Sequence, residues 1–241
     1  MDEYNEYSKE TTPVEDLPGM HIQLDGQVIY YEKTGEGSPV ILLHGNGEDH
    51  SIFDELIDEM KSEHTFYALD SRGCGHSATP AEYHYKDMAD DVVNFIRALD
   101  IDKPYIVGFS DGAITALLVG IDHSELLSGI VSCGANLSPK GLRWSARHMI
   151  KKLYRQTNDP MIGMMMKEPD INPTMLEFIQ VPTLVMAGSK DMITEVETKR
   201  ISLSIPKALL KILKKEDHTS YVVHSTKLAP HLREFMSDEE V

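Results

Sequence analysis

The sequence predicts an α/β protein: a mostly parallel central sheet with helices on both faces and a small helical cap inserted into it. Three observations carry that prediction. Short, almost wholly apolar runs recur along the chain, among them Pro39–Leu43, Tyr105–Val107 and Pro182–Ala187, as expected of strands buried on both faces. Between such runs lie segments of helical periodicity, for example Met88, Val92, Phe95, Ile96 and Leu99; strands alternating with helices imply βαβ units. The alternation lapses from Ala135 to Ile179 and then resumes, which marks residues 135–179 as an inserted helical cap and residues 19–134 and 180–241 as the core.

Residues 1–18 read as a mobile acidic arm ending at Pro18-Gly19. Met20–Leu24 and Gln27–Lys33 flank Asp25-Gly26, a hairpin-turn dipeptide. Pro39–Leu43 is the first parallel strand and ends in His44-Gly45-Asn46-Gly47. Ser51 and Asp54 have the spacing of a capping box, opening a helix through about Lys61. Thr65–Leu69 is the next strand, followed by Asp70-Ser71-Arg72-Gly73-Cys74-Gly75-His76-Ser77 and the helix Asp87–Leu99. Tyr105–Val107 leads through Gly108-Phe109-Ser110-Asp111-Gly112 into an apolar helix, and Leu127–Ser132 is another strand. After the cap come the strand Pro182–Ala187, the turn Gly188-Ser189-Lys190-Asp191, a helix Glu195–Ser204, a last strand Ala208–Leu213, a loop holding His218, and a carboxyl-terminal helix.

The chain has 241 residues, with 23 Lys plus Arg against 39 Asp plus Glu and a net charge of −16. That length suits one α/β domain with an insertion. The negative field argues against nucleic acid and anionic membrane as partners. Cys74 and Cys133 are the only cysteines, too few for a disulfide framework or a metal-ligand cluster. The start MDEYNEYSKE lacks the basic opening and apolar core of a secretion signal, so the expected location is cytoplasmic. No pattern assigns an oligomeric state.

The chemistry gathers at Ser110. Gly108 and Gly112 stand two residues either side of it, and strand, sharp turn, helix is the context in which G-x-S-x-G exposes a nucleophile. The helix beginning at Asp111 directs its positive end toward the same point. A serine needs a base, and the base needs an acid to orient it. His218 follows the last strand and Asp191 the strand before it, at the strand ends where ligands collect in such sheets. Asp217 adjoins His218 but neighbouring side chains diverge, so Asp191 is the expected acid. The catalytic set is therefore Ser110, Asp191 and His218. The oxyanion donors are expected to be the backbone N–H groups of Asp111 and of Asn46. His44 reads as a residue that fixes the loop. No cofactor and no metal is implied.

In the cap, Leu142, Ala146, Met149, Ile150 and Leu153 share one helical face, and Lys140, Arg143, Arg147, Lys151, Lys152 and Arg155 form a basic one. The basic face is expected to be solvated and paired with the acidic core, the alternative being that it steers an anionic substrate. Met161, Met164, Met165 and Met166 follow, and Asn172-Pro173 reads as the cap of a second short helix.

His44-Gly45-Asn46-Gly47, Asp70-x-Arg72-Gly73-x-Gly75-x-Ser77, Gly108-Phe109-Ser110-Asp111-Gly112, Gly188-Ser189-Lys190-Asp191 and Asp217-His218 together resemble the α/β-hydrolase superfamily from about Met20 onward. The resemblance implies the α/β-hydrolase fold and a serine mechanism. Ser-Asp-Gly after the strand is most similar to the biphenyl-hydrolase-like and valacyclovir-hydrolase-like serine esterases, although Ala113 stands where those have a second Gly. In that subgroup the aspartate at the Asp111 position receives a substrate amine, so the resemblance implies a substrate-binding role for Asp111. The expected function is a serine hydrolase acting on small carboxylic esters or lactones, its partner a small-molecule ester. Acyl transfer, thioester or C–C bond hydrolysis, and a ligand-binding signalling role with a retained triad, stay open on the residues alone.

Overall fold

The computed structural model describes residues 19–237; the expected acidic arm lies outside them. In chain order the elements are β1 (Met20–Leu24), β2 (Gln27–Gly35), β3 (Ser38–Leu43), α1 (Asp54–Met60), β4 (His64–Leu69), α2 (Tyr85–Ala98), β5 (Tyr105–Phe109), α3 (Asp111–His123), β6 (Gly129–Cys133), α4 (Trp144–Thr157), α5 (Pro160–Met165), β7 (Thr183–Gly188), α6 (Glu195–Ser204), β8 (Ala208–Leu213) and α7 (Ala229–Ser237). The strands form one eight-stranded sheet in the order β1-β2-β4-β3-β5-β6-β7-β8. The first two strands pair antiparallel, as do β2 and β4, and every later pairing is parallel.

Alternation along the strands builds two cores. Ile41 and Leu43 of β3, Ile106 of β5, Ile130 of β6 and Val185 of β7 pack with α2, α3 and α6. Val40 and Leu42, Val107 and Phe109, Val131 and Cys133, and Leu184 and Met186 pack on the other face with α1 and α7. This two-sided burial is why these strands read as unbroken apolar runs. The hairpin turn falls at Asp25 and Gly26, both at positive φ.

Two local details differ from the sequence reading. Asp49, not Ser51, caps the helix after β3: its carboxylate accepts from the Ser51 N–H, and the helix opens as a 3₁₀ turn over His50–Phe53 before α1. Asp49 Oδ1 also accepts from the Ser51 hydroxyl, so Ser51 is engaged as a donor and the charged Asp49 is the capping acceptor. Asn172 does cap a segment through Thr174 N–H, but Pro173–Phe178 is 3₁₀ rather than α.

Between β6 and β7 the chain forms the helical insert α4 and α5. Leu142, Ala146 and Ile150 bury against Ile162 and against Ile193 in the loop after β7, and a single bridge joins Leu142 to Ile193. This small third core seats the insert over the carboxyl ends of the parallel strands.

Candidate active site

β5 lies mid-sheet and delivers Ser110 at the amino end of α3. Ser110 has φ 52° and ψ −112°, a strained conformation that survives only where surroundings enforce it. Here they do. The Ser110 N–H donates to the Cys133 carbonyl at 2.8 Å and the Gly112 N–H to the His44 carbonyl at 3.0 Å. A Cβ on Gly108 would run into the Gly112 carbonyl, and one on Gly112 into the Leu43 carbonyl. The two glycines are therefore required by close backbone approach.

The loops after β7 and β8 bring Asp191 and His218 to this turn. His218 Nε2 lies 3.0 Å from Ser110 Oγ, and His218 Nδ1 lies 2.7 Å from Asp191 Oδ1. Asp191 is buried and held as a carboxylate should be: Oδ1 also accepts from the Ile193 N–H at 2.9 Å and Oδ2 from the Gly188 N–H at 3.3 Å. Asp217 is directed elsewhere. Its Oδ1 accepts from the N–H groups of Thr219 and Ser220 at 3.0 Å each, and these bonds hold its carboxyl below the usual range. A hydroxyl, an imidazole and a buried carboxylate in this sequence can pass a proton from oxygen to nitrogen while the acid stabilises the resulting imidazolium.

Among the described residues, the backbone N–H groups of Asn46 and Asp111 donate to no protein acceptor. His44 is buried with Nδ1 2.7 Å from the Gly45 carbonyl and Nε2 accepting from the Ser71 N–H at 2.9 Å. An acceptor at Nε2 places the proton on Nδ1, and burial lowers the imidazole pKa, so His44 is a neutral brace between two loops. Asp70 and Arg72 also brace: Asp70 accepts from the N–H groups of His50 and His76, and Arg72 forks onto Asp91 at 2.7 and 2.8 Å.

The substrate-binding role that the resemblance implies for Asp111 would need a carboxylate free at the mouth of the site, and the structure places it otherwise. Asp111 is buried. Its Oδ2 accepts from Asn46 Nδ2 at 2.8 Å and its Oδ1 from the Tyr85 hydroxyl at 2.7 Å, while burial raises its pKa. Both oxygens serve to tie the loop after β3 and the start of α2 to the start of α3. The reason is geometric: Asn46 from the loop after β3 and Tyr85 from the start of α2 both converge on the first residue of α3, which the sequence does not reveal.

A cavity of about 380 Å³ opens above Ser110 and His218, walled by Met149, Leu153, Met161, Ile162, Met165 and Met192. Glu48 and Asp159 also line it, and no lysine or arginine does. Glu48 is half-buried, and its Oε2 accepts from the Gly45 N–H at 2.9 Å; burial raises its pKa. The sequence reading missed Glu48, whose one signal was a charge placed directly after the glycine loop. Arg143, read in the sequence only as part of the basic face, reaches from the cap to donate to the Asp191 carbonyl at 2.6 Å. Met149 and Leu153, grouped by periodicity with Leu142, Ala146 and Ile150, part from those buried residues and stand 55% and 43% exposed at the cavity wall. Among the described residues, Asp49, His50 and Asp70 are the group with metal-ligand spacing, but their oxygens and nitrogens already bond one another and the nearby backbone.

The fold and this arrangement define a class, and comparison with known proteins names it. The family model for the alpha/beta hydrolase fold matches residues 38–159, and the chain belongs to that family. Serine hydrolase BPHL of Mus musculus is 29% identical over 202 residues, covering 70% of this chain and 69% of that protein. A 2-hydroxy-6-oxo-6-(2'-aminophenyl)hexa-2,4-dienoic acid hydrolase of Metapseudomonas resinovorans is 29% identical over 217 residues, covering 70% and 73%. Among solved structures, Est816, an N-acyl homoserine lactone degrading enzyme, superposes with TM-score 0.74 at 23% identity over 92% of this chain and all of that one. Among the described residues no helix is long and apolar enough to cross a membrane.

Proposed function

We propose that this hydrolase cleaves small carboxylic esters or lactones through an acyl-enzyme on Ser110, with His218 as base and acid in turn, Asp191 orienting it, and the N–H groups of Asn46 and Asp111 binding the oxyanion. The observation that carries the reading is the unbroken chain from Ser110 Oγ through both His218 nitrogens to the buried Asp191 carboxylate. Serine, lactone and C–C hydrolases among the relatives agree with it at the level of reaction class. Turnover of p-nitrophenyl acetate and butyrate, run beside a fluorophosphonate labelling gel, tests it. Labelling with turnover supports the reading; labelling without turnover favours a sensor that keeps the triad.

The cavity lining bears on substrate charge. C–C hydrolysis of dienoic acids, the reaction of the Metapseudomonas relative, requires room for an anion. Among the described residues the lining carries Glu48 and Asp159 and no lysine or arginine, which favours neutral esters. Ethyl butyrate is therefore expected to beat monoethyl succinate, its anionic near-isostere, in kcat/KM. Glu48→Gln is expected to narrow that gap about tenfold, the effect of removing roughly 1.4 kcal/mol of like-charge repulsion. An unchanged ratio in the variant would show that Glu48 does not face the substrate.

The volume sets chain length. A cavity of about 380 Å³ lies at the small end of ligand sites. Rates across p-nitrophenyl esters are expected to peak at short acyl chains and decline beyond roughly C6, because added methylenes meet packed walls. A maximum at long chains would refute this cap geometry.

A further inference from the structure

Residues 140–155 hold six lysines and arginines and no acid. The sequence reading paired this face with the acidic core. Elsewhere such pairs form: Lys61, Arg72, Lys86, Lys199, Lys211 and Arg233 each meet a carboxylate. On α4, Arg147, Lys151, Lys152 and Arg155 are all exposed, and among the described residues none forms an ion pair. None of them lines the cavity above Ser110 either, so they do not hold its substrate.

The same helix exposes large apolar groups. Trp144 is 72% exposed and stacks on His148 at 5.3 Å. Met149 and Leu153 stand on the flank that leads into the cavity. On the opposite flank Arg147 and Lys151 border a separate crevice of about 170 Å³, walled by Leu142, Ile150, Met165 and Met166. Apolar walls edged by two cations match an amphiphile with an anionic head. A Trp and aliphatic side chains standing outward among cations are the pattern of helices that lie in a lipid interface.

We propose that α4 is a docking face for an anionic phospholipid bilayer, with Arg147 and Lys151 meeting headgroup phosphates, Trp144 entering the interfacial layer and the Met149–Leu153 flank turned toward the cavity mouth. The net charge of −16 argued against a membrane partner, but charges beyond a Debye length of about 10 Å are screened at ordinary salt. At contact the surface meets the local field of α4, which is positive. Each basic side chain close to such a surface tightens partitioning about fivefold.

Trp144 is the only tryptophan in the chain, so intrinsic fluorescence reports on this helix alone. Vesicles of phosphatidylglycerol and phosphatidylcholine are expected to shift its emission to the blue and to co-sediment the protein, with both effects lost in high salt or on phosphatidylcholine alone. Arg147→Gln with Lys151→Gln is expected to weaken partitioning about thirtyfold. Lys152→Gln with Arg155→Gln serves as a second pair, circular dichroism checks the fold of each, and hydrolysis of soluble p-nitrophenyl acetate stays unchanged. No shift with phosphatidylglycerol vesicles, or equal binding to phosphatidylcholine alone, overturns the proposal. A shift with polyglutamate but not with vesicles overturns it in favour of an acidic protein partner. Binding is read without turnover, so its failure and failure of the hydrolase reading are separable.

Discussion

Ser110→Ala is expected to lower kcat by about 10⁶, the scale seen when a serine nucleophile is removed from a working triad. The Ser110 hydroxyl sits 3.0 Å from His218 Nε2 at the amino end of α3, and no other hydroxyl makes a hydrogen bond to that nitrogen in the described structure. Ser110 also holds φ 52°, a conformation alanine tolerates no better, so the fold should lose little on substitution. The loss therefore reads as chemistry: kcat drops, KM changes modestly, and fluorophosphonate labelling vanishes while the melting temperature stays close to that of the parent. Labelling that persists in Ser110→Ala would place the nucleophile elsewhere.

Asp191→Asn is expected to cost on the order of 10⁴ in kcat, by analogy with the same change in a serine protease, while Asp217→Asn leaves kcat within a few-fold. Two features of the acid set the size of the first effect. Asp191 Oδ1 bonds His218 Nδ1 at 2.7 Å with the carboxylate buried, so its charge acts on the imidazolium with little screening. Its oxygens also accept from the backbone N–H groups of Ile193 and Gly188. An asparagine cannot satisfy all three donors, because one of its two terminal groups is itself a donor. Asp217 has no such reach: Thr219 and Ser220 N–H groups hold its carboxylate in a surface turn. Steady-state kinetics on both variants decide the matter, and a larger loss in Asp217→Asn would identify it as the acid.

Much of this was legible in the sequence, for reasons that can be stated residue by residue. Pro39–Leu43 and Tyr105–Val107 announced buried strands because both faces of β3 and β5 lie under helices. Gly108 and Gly112 announced the turn around Ser110 because only residues without a Cβ fit against the Gly112 and Leu43 carbonyls. Asp191 and His218 could be picked from many candidates because a parallel sheet gathers the loops after its strands at one end. These are local or topological rules, and a linear pattern can carry them.

Direction and distance across the fold were not legible. Asp111 and Glu48 are both acids beside glycine turns in the sequence, yet tertiary packing buries the first beneath Asn46 and Tyr85 and sets the second on the cavity wall. Periodicity put Met149 and Leu153 on one face with Leu142, Ala146 and Ile150, but only the seat of α4 on Ile162 and Ile193 fixes its rotation and leaves them at the cavity. The reach of Arg143 to the Asp191 carbonyl joins the cap to the core across 48 residues. The sequence by itself determined which strand ends carry Ser110, Asp191 and His218, because each follows its own strand and a parallel sheet brings those ends together. Tertiary structure alone decided which charges face the substrate and which are consumed in bracing, because that depends on how helices α2 and α4 rotate and pack against loops distant in the chain.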